Sequence, residues 1–411
     1  MLTTTPLLQH WRLLAFGFLM SFCSGPGQTF LIALYGGELR TTFELSHSEF
    51  GAIYSIATLL SAVLVIWTGK LVDEMDPRLL SFVVVLVLAS GLLLASVSGG
   101  AILLLVALFL LRHSGQGLMM LIGATLLIRH IPQARGKAVA VSKLGYVSAE
   151  AVMPTITLAA IAVLGWRGAL QLTSFALVVL ALPAIFSLLR RYTRSHMESL
   201  EHAVPNSALA VDGPKDFSRS QVLRDKRFYF ALPVIMSAPM IFTGFFFHQI
   251  ALVEEKAWNL QWWAGSFALY ALSSLFMTLI TGPLVDRYRS VTVLPFCLLP
   301  MAMGLVLIAV SDNIWAGVAF LVLTGMTTGS VSIATPPVYA EVWGTRHLGA
   351  IKAVGTEVMV FASALSPVAM GLLIDNGTTL AFQAVVSAAY ILAAVTLMKW
   401  AFRNVTIHDY P

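Results

Sequence analysis

Long apolar runs without any charged residue are the feature that most restricts how this chain folds. Ala101–Leu111 and Phe175–Leu189 are two such runs. A helix needs about 20 apolar residues to cross the hydrocarbon core of a bilayer, where only helices and closed barrels satisfy their backbone groups. The alternating polarity of barrel strands is missing from the sequence. The chain is 58% hydrophobic and 11% charged, against about 25% charged residues in soluble proteins. We therefore predict an all-α membrane protein.

The charge and motif content of the sequence excludes several classes of function. A net charge of +5 is explained by basic residues on cytoplasmic loops, so we predict contact with a lipid bilayer and not with nucleic acid. The sequence has no glycine-rich phosphate loop, and its nine histidines and two cysteines show no metal-ligand spacing. It indicates neither an enzyme nor a cofactor.

Charge clusters and Gly/Pro turns divide the chain into about twelve apolar segments of membrane-spanning length. A polar linker, residues 190–227, separates a predicted N-terminal six-helix bundle, residues 1–189, from a C-terminal one, residues 228–411. The predicted spans are residues 12–36, 48–70, 79–98, 101–128, 137–164, 168–189, 229–253, 262–284, 290–311, 314–340, 350–374 and 378–400.

Most of the 25 lysines and arginines fall in loops on one side of these spans. Because basic loops stay in the cytoplasm, the pattern predicts a multi-pass protein of the cytoplasmic (inner) membrane with both termini in the cytoplasm. Only Arg40, Arg167 and Lys256 fall on the other side. We expect a monomer.

A short charged hinge occurs twice in the sequence. The residues Gly69, Leu71, Val72 and Asp73 recur 213 positions later (282 − 69 = 213) as Gly282, Leu284, Val285 and Asp286. The same offset relates Ser24, Pro26, Gly136 and Pro154 to Ser237, Pro239, Gly349 and Pro367. A constant offset over six spans predicts two equivalent bundles with pseudo-two-fold symmetry. That is a transporter architecture, with a binding site near mid-membrane.

The hinges also carry a family resemblance. Gly69–Arg78 resembles the signature loop between spans two and three of the major facilitator superfamily, and Gly282–Arg289 resembles its counterpart in the second half. Arg112–Gly117 is similar to the arginine-and-glycine motif of span four. The resemblance implies a secondary transporter that moves a small solute by alternating access. Glu74 and Asp76 depart from the pattern, since a basic residue and a glycine are usual there.

The same resemblance implies a gating role for the hinges, in which the loop aspartate holds the cytoplasmic side closed. The alternative is that these charges are solvated and serve only membrane topology. The candidate gating residues are Gly69, Asp73, Arg78, Gly282, Asp286 and Arg287.

Charged residues inside predicted spans are the main site candidates, because such charges are costly unless they are paired or hydrated. Arg112 in span four and Glu150 in span five are predicted to form an ion pair, because the two spans are joined at the cytoplasmic side and both residues lie far along them from that side. Lys143 lies seven residues before Glu150 (150 − 143 = 7) and therefore on the same helix face. We expect Arg112 and Lys143 to bind substrate and Glu150 to carry a proton. A permanent structural pair is the alternative.

Further polar residues extend this candidate site. His248 is expected to bind substrate or carry a proton, because histidine titrates near neutral pH, and Glu357 is a second expected proton carrier. Gln28, Gln116 and Gln249 are expected to line the substrate path. Hydrogen bonding between helices is the alternative for the histidine and the glutamines.

These residues predict a small-molecule substrate, most simply an organic anion such as a monocarboxylate, moved with protons or in exchange for a counter-solute. His248 in its aromatic run and Thr345–Gly349 loosely resemble bacterial relatives of the monocarboxylate carriers, although span eight lacks their Asp/Arg pair. One alternative is a proton-driven efflux pump for drugs or siderophore-like products. Ala149–Pro154, which lacks the glycine–proline–glycine–glycine signature of drug antiporters, argues against it. The other is a transport-inactive sensor with the same fold.

Overall fold

The computed structural model describes residues 10–131, 135–190, 192, 217–344 and 347–403. Ten helices in these ranges are long and apolar enough to cross a membrane, and a bent helix pair makes an eleventh span. One of the ten, Ala138–Leu189, contains Gly165 at φ 68°, which ends one helix and starts another. Counting that helix as two gives the twelve predicted spans.

The N-terminal unit contains the first six membrane helices. The first, α1, consists of two parts, Trp11–Gly27 and Thr29–Phe43, bent by 41°. Helices α5 and α6 are residues 135–164 and 166–189, on either side of Gly165. The other three are α2 (His47–Thr68), α3 (Pro77–Val97) and α4 (Ala101–His130).

The C-terminal unit contains the other six. They are α7 (Lys226–Phe247), α8 (Leu260–Tyr288), α9 (Ser290–Val310), α10 (Ile314–Trp343), α11 (Leu348–Asp375) and α12 (Leu380–Phe402). The chain divides between the two units at residues 207 and 208. The predicted all-α fold with two six-helix bundles is confirmed.

Large apolar side chains on the outer faces of the helices are exposed, as expected for surfaces in contact with lipid. Ile102, Val163 and Val310 are 84%, 80% and 74% exposed. Exposing so many large apolar side chains to water would destabilise the fold, because each one loses the stabilisation of about 1.5–3 kcal/mol that burial provides. The bilayer is the solvent for these faces.

Most of the predicted linker, residues 191–216, lies outside the described residues apart from Tyr192, as do Thr345 and Arg346. Its last part is folded onto the C-terminal unit. The Phe217 amide donates to the Trp343 carbonyl at 3.0 Å, and Trp343 Nε1 donates to Asp225 Oδ2 at 3.0 Å. Burial alone raises the pKa of Asp225, but hydrogen bonds from Arg227 and Trp343 outweigh it and lower that pKa. The contacts of this unit therefore begin before residue 228.

A cluster of polar contacts joins α7, α10 and α12 where the chain leaves α7. Glu255, which ends the short helix Gln249–Glu255, accepts hydrogen bonds from the Leu380 and Ala381 amides at 2.6 and 2.9 Å. These amides begin α12 and have no acceptor within their own helix. Lys256 Nζ lies 2.6 Å from Asp312 Oδ1, just before α10. Glu255, distant in sequence, thus caps α12, and Lys256 holds Asp312 just before the start of α10.

Replacing Glu255 by Ala is expected to destabilise the protein by about 1 kcal/mol, the usual cost of losing an N-terminal cap. Thermal unfolding of the purified protein in detergent measures the effect. Glu254→Ala is the matched control, because Glu254 is an exposed neighbour that accepts no such hydrogen bond in the described part of the chain. Equal melting temperatures for the two variants would contradict the capping role.

Candidate functional site

The candidate site of the N-terminal unit is built on a break in α1. Gly25–Gly27 forms a short 3-10 turn, and Gln28 is extended at φ −92° and ψ 151° before the helix resumes at Thr29. Pro26 has no amide hydrogen and cannot continue the helical hydrogen bonds. The chain therefore bends at Ser24–Gly27, and the bend leaves backbone carbonyls in need of donors.

Glycines bring this break into direct contact with α4. A Cβ on Gly27 would lie 2.2 Å from the Leu111 carbonyl oxygen, and one on Gly115 would lie 2.8 Å from the Gly27 Cα. The same part of α4, Arg112–Met119, is a π-helix. π-Helical segments are rare in proteins, and many of those that occur lie at functional sites. Only glycine on both helices allows the backbones to approach this closely.

Arg112 reaches across this contact and is 2% exposed. Its Nε donates to Thr58 Oγ1 at 3.1 Å, and its Nη1 donates to the Gly27 carbonyl at 3.1 Å. Nη1 also lies 3.5 Å from Thr29 Oγ1, and the guanidinium carbon lies 4.9 Å from the centre of the Tyr54 ring. All these partners are neutral. In the part of the chain that the structure describes, Arg112 has no carboxylate partner.

The predicted ion pair between Arg112 and Glu150 is therefore wrong. The reason is the position of α1, whose Gly27 contacts α4 while a Cβ on its Gly25 would lie 2.3 Å from Met153 of α5. The broken helix lies against both partners and supplies its own carbonyl to the arginine. Equal depth in the membrane placed the two charges at one level but did not give the direction of either side chain.

Lys143 and Glu150 do come together on α5. Glu150 is 2% exposed, Lys143 is half-buried, and the two interact electrostatically. This is the two-turn spacing that the sequence predicted. The unit therefore holds two separate charged groups, a lysine–glutamate pair on α5 and an arginine among neutral partners on α4.

Four residues of this site were missed by the sequence reasoning. Tyr54 and Thr58 are four apart on one face of α2, and that spacing of polar residues in an apolar helix is the signal that would have found them. Thr29 lies 2.6 Å from the Tyr54 hydroxyl, oxygen to oxygen. Tyr146 packs edge-on against Phe30 and lies in electrostatic range of the arginine.

The two predicted glutamines of this unit lie in different environments. Gln28 is buried at the break, and its Nε2 lies 3.3 Å from Ser24 Oγ. It stabilises the turn at that point. Gln116 is exposed on α4 and makes no side-chain hydrogen bond with the described residues. The structure therefore brings Gln28, but not Gln116, into the break.

In the C-terminal unit the predicted residues are hydrogen-bonded within the bundle. His248 Nε2 donates to the Pro367 carbonyl at 2.8 Å, and Gln249 Oε1 accepts from Trp263 Nε1 at 2.9 Å. Glu357 is exposed on α11. Pro367 is ten residues beyond it (367 − 357 = 10), about 15 Å along the helix. The histidine and this glutamate therefore do not form one site.

At the first hinge, three of the charged residues have contacts within their own unit. Asp73 forms an ion pair with Arg129 at the end of α4. Asp76 caps α3, accepting from the Arg78 amide at 2.8 Å, which explains one departure from the family pattern. The Arg78 side chain donates to the carbonyls of Leu189 and Arg190, where α6 ends. A Cβ on Gly69 would meet a side chain of α4, Leu121, at 3.3 Å.

The second hinge differs from the first, so the two are not equivalent in detail. Asp286 is exposed, and no described residue forms an ion pair with it. A Cβ on Gly282 would meet open space, and Arg287 lies over the ring of the adjacent Tyr288 at 5.2 Å. The sequence reasoning missed Glu341 of α10, which accepts from the Ser290 and Val291 amides at 2.8 and 3.1 Å and caps α9.

Two units of six apolar helices, with a broken helix and buried charges in one of them, define a secondary transporter. The family model of the Major Facilitator Superfamily matches residues 17–292 and 260–408. The chain belongs to this superfamily. It is a multi-pass membrane transporter with a small-molecule substrate.

Solved structures of transporters share the fold. A bacterial homologue of the human lysosomal transporter Spinster, inward-facing and unoccupied, aligns with a TM-score of 0.74 and 13% identity over 97% of this chain and 98% of that chain. The nucleoside transporter NupG aligns with a TM-score of 0.71 and 14% identity over 96% of this chain and 99% of that chain. No curated protein sequence matches the chain significantly.

Proposed function

We propose that this transporter moves a small organic anion, such as a monocarboxylate, and that Arg112 binds its negative charge. The observation that supports this is the buried guanidinium with only neutral partners among the described residues. Removing an unpaired charge from water costs several kcal/mol. An anionic substrate offsets that cost, and a carboxylate accepts two parallel hydrogen bonds from a guanidinium.

The second unit supports a role beyond structure for this arginine. At the repeat offset of 213, the positions of Tyr54, Thr58 and Arg112 correspond to Phe267, Ala271 and Gly325. The second six-helix unit thus has an apolar equivalent of the whole cluster. A six-helix bundle of this family forms without the buried arginine and its hydroxyl partners.

For the driving force we propose proton coupling through Glu150, with Lys143 as its charge partner. When an anion binds the lysine, the glutamate loses its charge partner and takes up a proton, because an unpaired charge inside the membrane is costly. When the anion leaves, the glutamate pairs with the lysine again and releases the proton. Lys143 is then a second substrate contact. Glu357 is a further proposed proton carrier. His248 is proposed for the same role, with Nδ1 as the atom that takes up the proton while Nε2 donates to the Pro367 carbonyl.

We propose an inner-membrane protein with both termini in the cytoplasm, acting as a monomer by alternating access. Gln28, Gln116 and Gln249 are proposed to contact the solute along the path.

The anion assignment is tested by uptake into proteoliposomes from a panel of carboxylates, sugars, amino acids and lipophilic cations, with and without a pH gradient. Carboxylate uptake is expected, and Arg112→Lys is expected to reduce it roughly 10- to 100-fold, because a hydrogen bond to a charged group is worth about 1.5–3 kcal/mol. Transport of cations or drugs alone would support the efflux alternative instead.

Glu150→Gln separates proton coupling from a structural role. The variant is expected to lose accumulation against a concentration gradient but to keep exchange of labelled for unlabelled substrate, because only net transport needs the proton. Both rates are measured in the same vesicles. Loss of both activities in a correctly folded variant would show that Glu150 is structural.

We further propose that the hinge residues form the gate, with the Asp73–Arg129 pair as its contact in the N-terminal unit and Gly69 and Arg78 as its support. Gly282, Asp286 and Arg287 are proposed to act in the same step. Asp73→Asn is expected to lower the transport rate at unchanged membrane abundance. The charge-swapped pair Asp73→Arg with Arg129→Asp is expected to recover part of it. An unchanged rate in Asp73→Asn would remove the gating role.

A further inference from the structure

The C-terminal unit has an apolar groove between α8, α9 and α10, at the end where the second hinge lies. Its volume is about 370 Å³, and its walls include Met277, Leu284, Val293, Phe296 and Pro300. Leu284 and Phe296 are 38% and 49% exposed, so the groove opens on the outer surface of the unit. An elongated apolar group, such as an acyl chain, matches this lining.

Two cations lie at the rim of the groove, each over an aromatic ring that lines it. Lys399 Nζ of α12 is 4.6 Å from the centre of the Phe296 ring, and the Arg287 guanidinium is 5.2 Å from that of Tyr288. Neither cation forms an ion pair with a described residue. The other charges at this end are Asp286, Arg289 and Glu341, which caps α9, so three positive charges face two negative ones and the rim is net positive.

A hydroxyl deeper in the groove also has no hydrogen-bond partner among the described residues. Thr281 lines the groove, is 1% exposed, and its Oγ1 has no hydrogen bond with any described residue. It precedes Arg287 by six residues (287 − 281 = 6), which is about 9 Å along α8. A ligand with an acceptor oxygen below a negative head would satisfy both the hydroxyl and the cations.

We propose that this groove is a binding site for an anionic phospholipid. Arg287 and Lys399 bind the phosphate, Thr281 donates to an ester carbonyl of the glycerol, and an acyl chain fills the apolar groove. Basic residues at the ends of membrane helices attract anionic lipids. The separate apolar, hydroxyl and cationic parts of the groove distinguish a lipid from a free anion.

The test is lipid binding to the purified full-length protein, measured by native mass spectrometry and by thermal stabilisation in a neutral detergent. Phosphatidylglycerol and phosphatidylcholine with identical acyl chains are the probes. Phosphatidylglycerol is expected to bind at least about tenfold more tightly, and the double variant R287Q/K399Q is expected to lose this preference. R403Q is the matched control, because Arg403 lies at the same helix end as Lys399 but over Trp400, outside this groove.

A second pair of variants tests the acyl chain. Val293→Trp fills the groove and is expected to weaken phosphatidylglycerol binding, whereas Val306→Trp, at an exposed site further along α9, is not. Glycerol phosphate without acyl chains is expected not to stabilise the protein. Equal binding of the two lipids, an equal loss in R403Q, or full stabilisation by glycerol phosphate would each overturn the proposal.

Discussion

The N-terminal unit depends on one interaction, the hydrogen bond from the Arg112 guanidinium to the Gly27 carbonyl. Breaking a helix inside a membrane leaves polar backbone groups with no water to bind, at a cost of several kcal/mol each. The arginine supplies a donor at that point, and Gly27 and Gly115 allow α1 and α4 to approach closely enough for it. The break and the buried charge therefore stabilise each other.

The C-terminal unit shows how the corresponding helices pack without the break and the buried arginine. Pro239 corresponds to Pro26, but its neighbours are Ala238 and Met240 instead of glycines, and α7 runs unbroken from Lys226 to Phe247. Gly325 stands where Arg112 would be, and a Cβ there would lie 2.3 Å from the Tyr270 carbonyl oxygen. Helices α8 and α10 use that space to pack together. Proline alone thus does not break the helix. The break is found in the unit where glycines flank the proline and an arginine contacts the carbonyl.

Much of the fold was predictable because it follows from the chemistry of the chain along its length. Apolar runs predicted the spans, and the constant offset of 213 predicted the two six-helix units. The predictions that failed needed the directions of side chains in three dimensions. The Arg112–Glu150 pair was inferred from depth alone, and Glu255 and Glu341 cap helices 125 and 51 positions away in sequence. Tyr54 and Thr58 were visible as a polar face of α2, but nothing in the sequence linked that face to the arginine of α4.

The two hinges also show that matching sequence does not give matching contacts in three dimensions. Identical residues at a constant offset predicted identical roles, yet Asp73 has Arg129 as a partner while the position 213 after Arg129 is Val342. The carboxylate of the first hinge is therefore neutralised within its unit, and the second hinge relies on Glu341 to order α9. Since electrostatic attraction between exposed charges is worth only about 0–1 kcal/mol, such partners change with little loss of stability. The duplicated fold is retained because burial and packing maintain it, whereas charges diverge between the halves and give each its own chemistry.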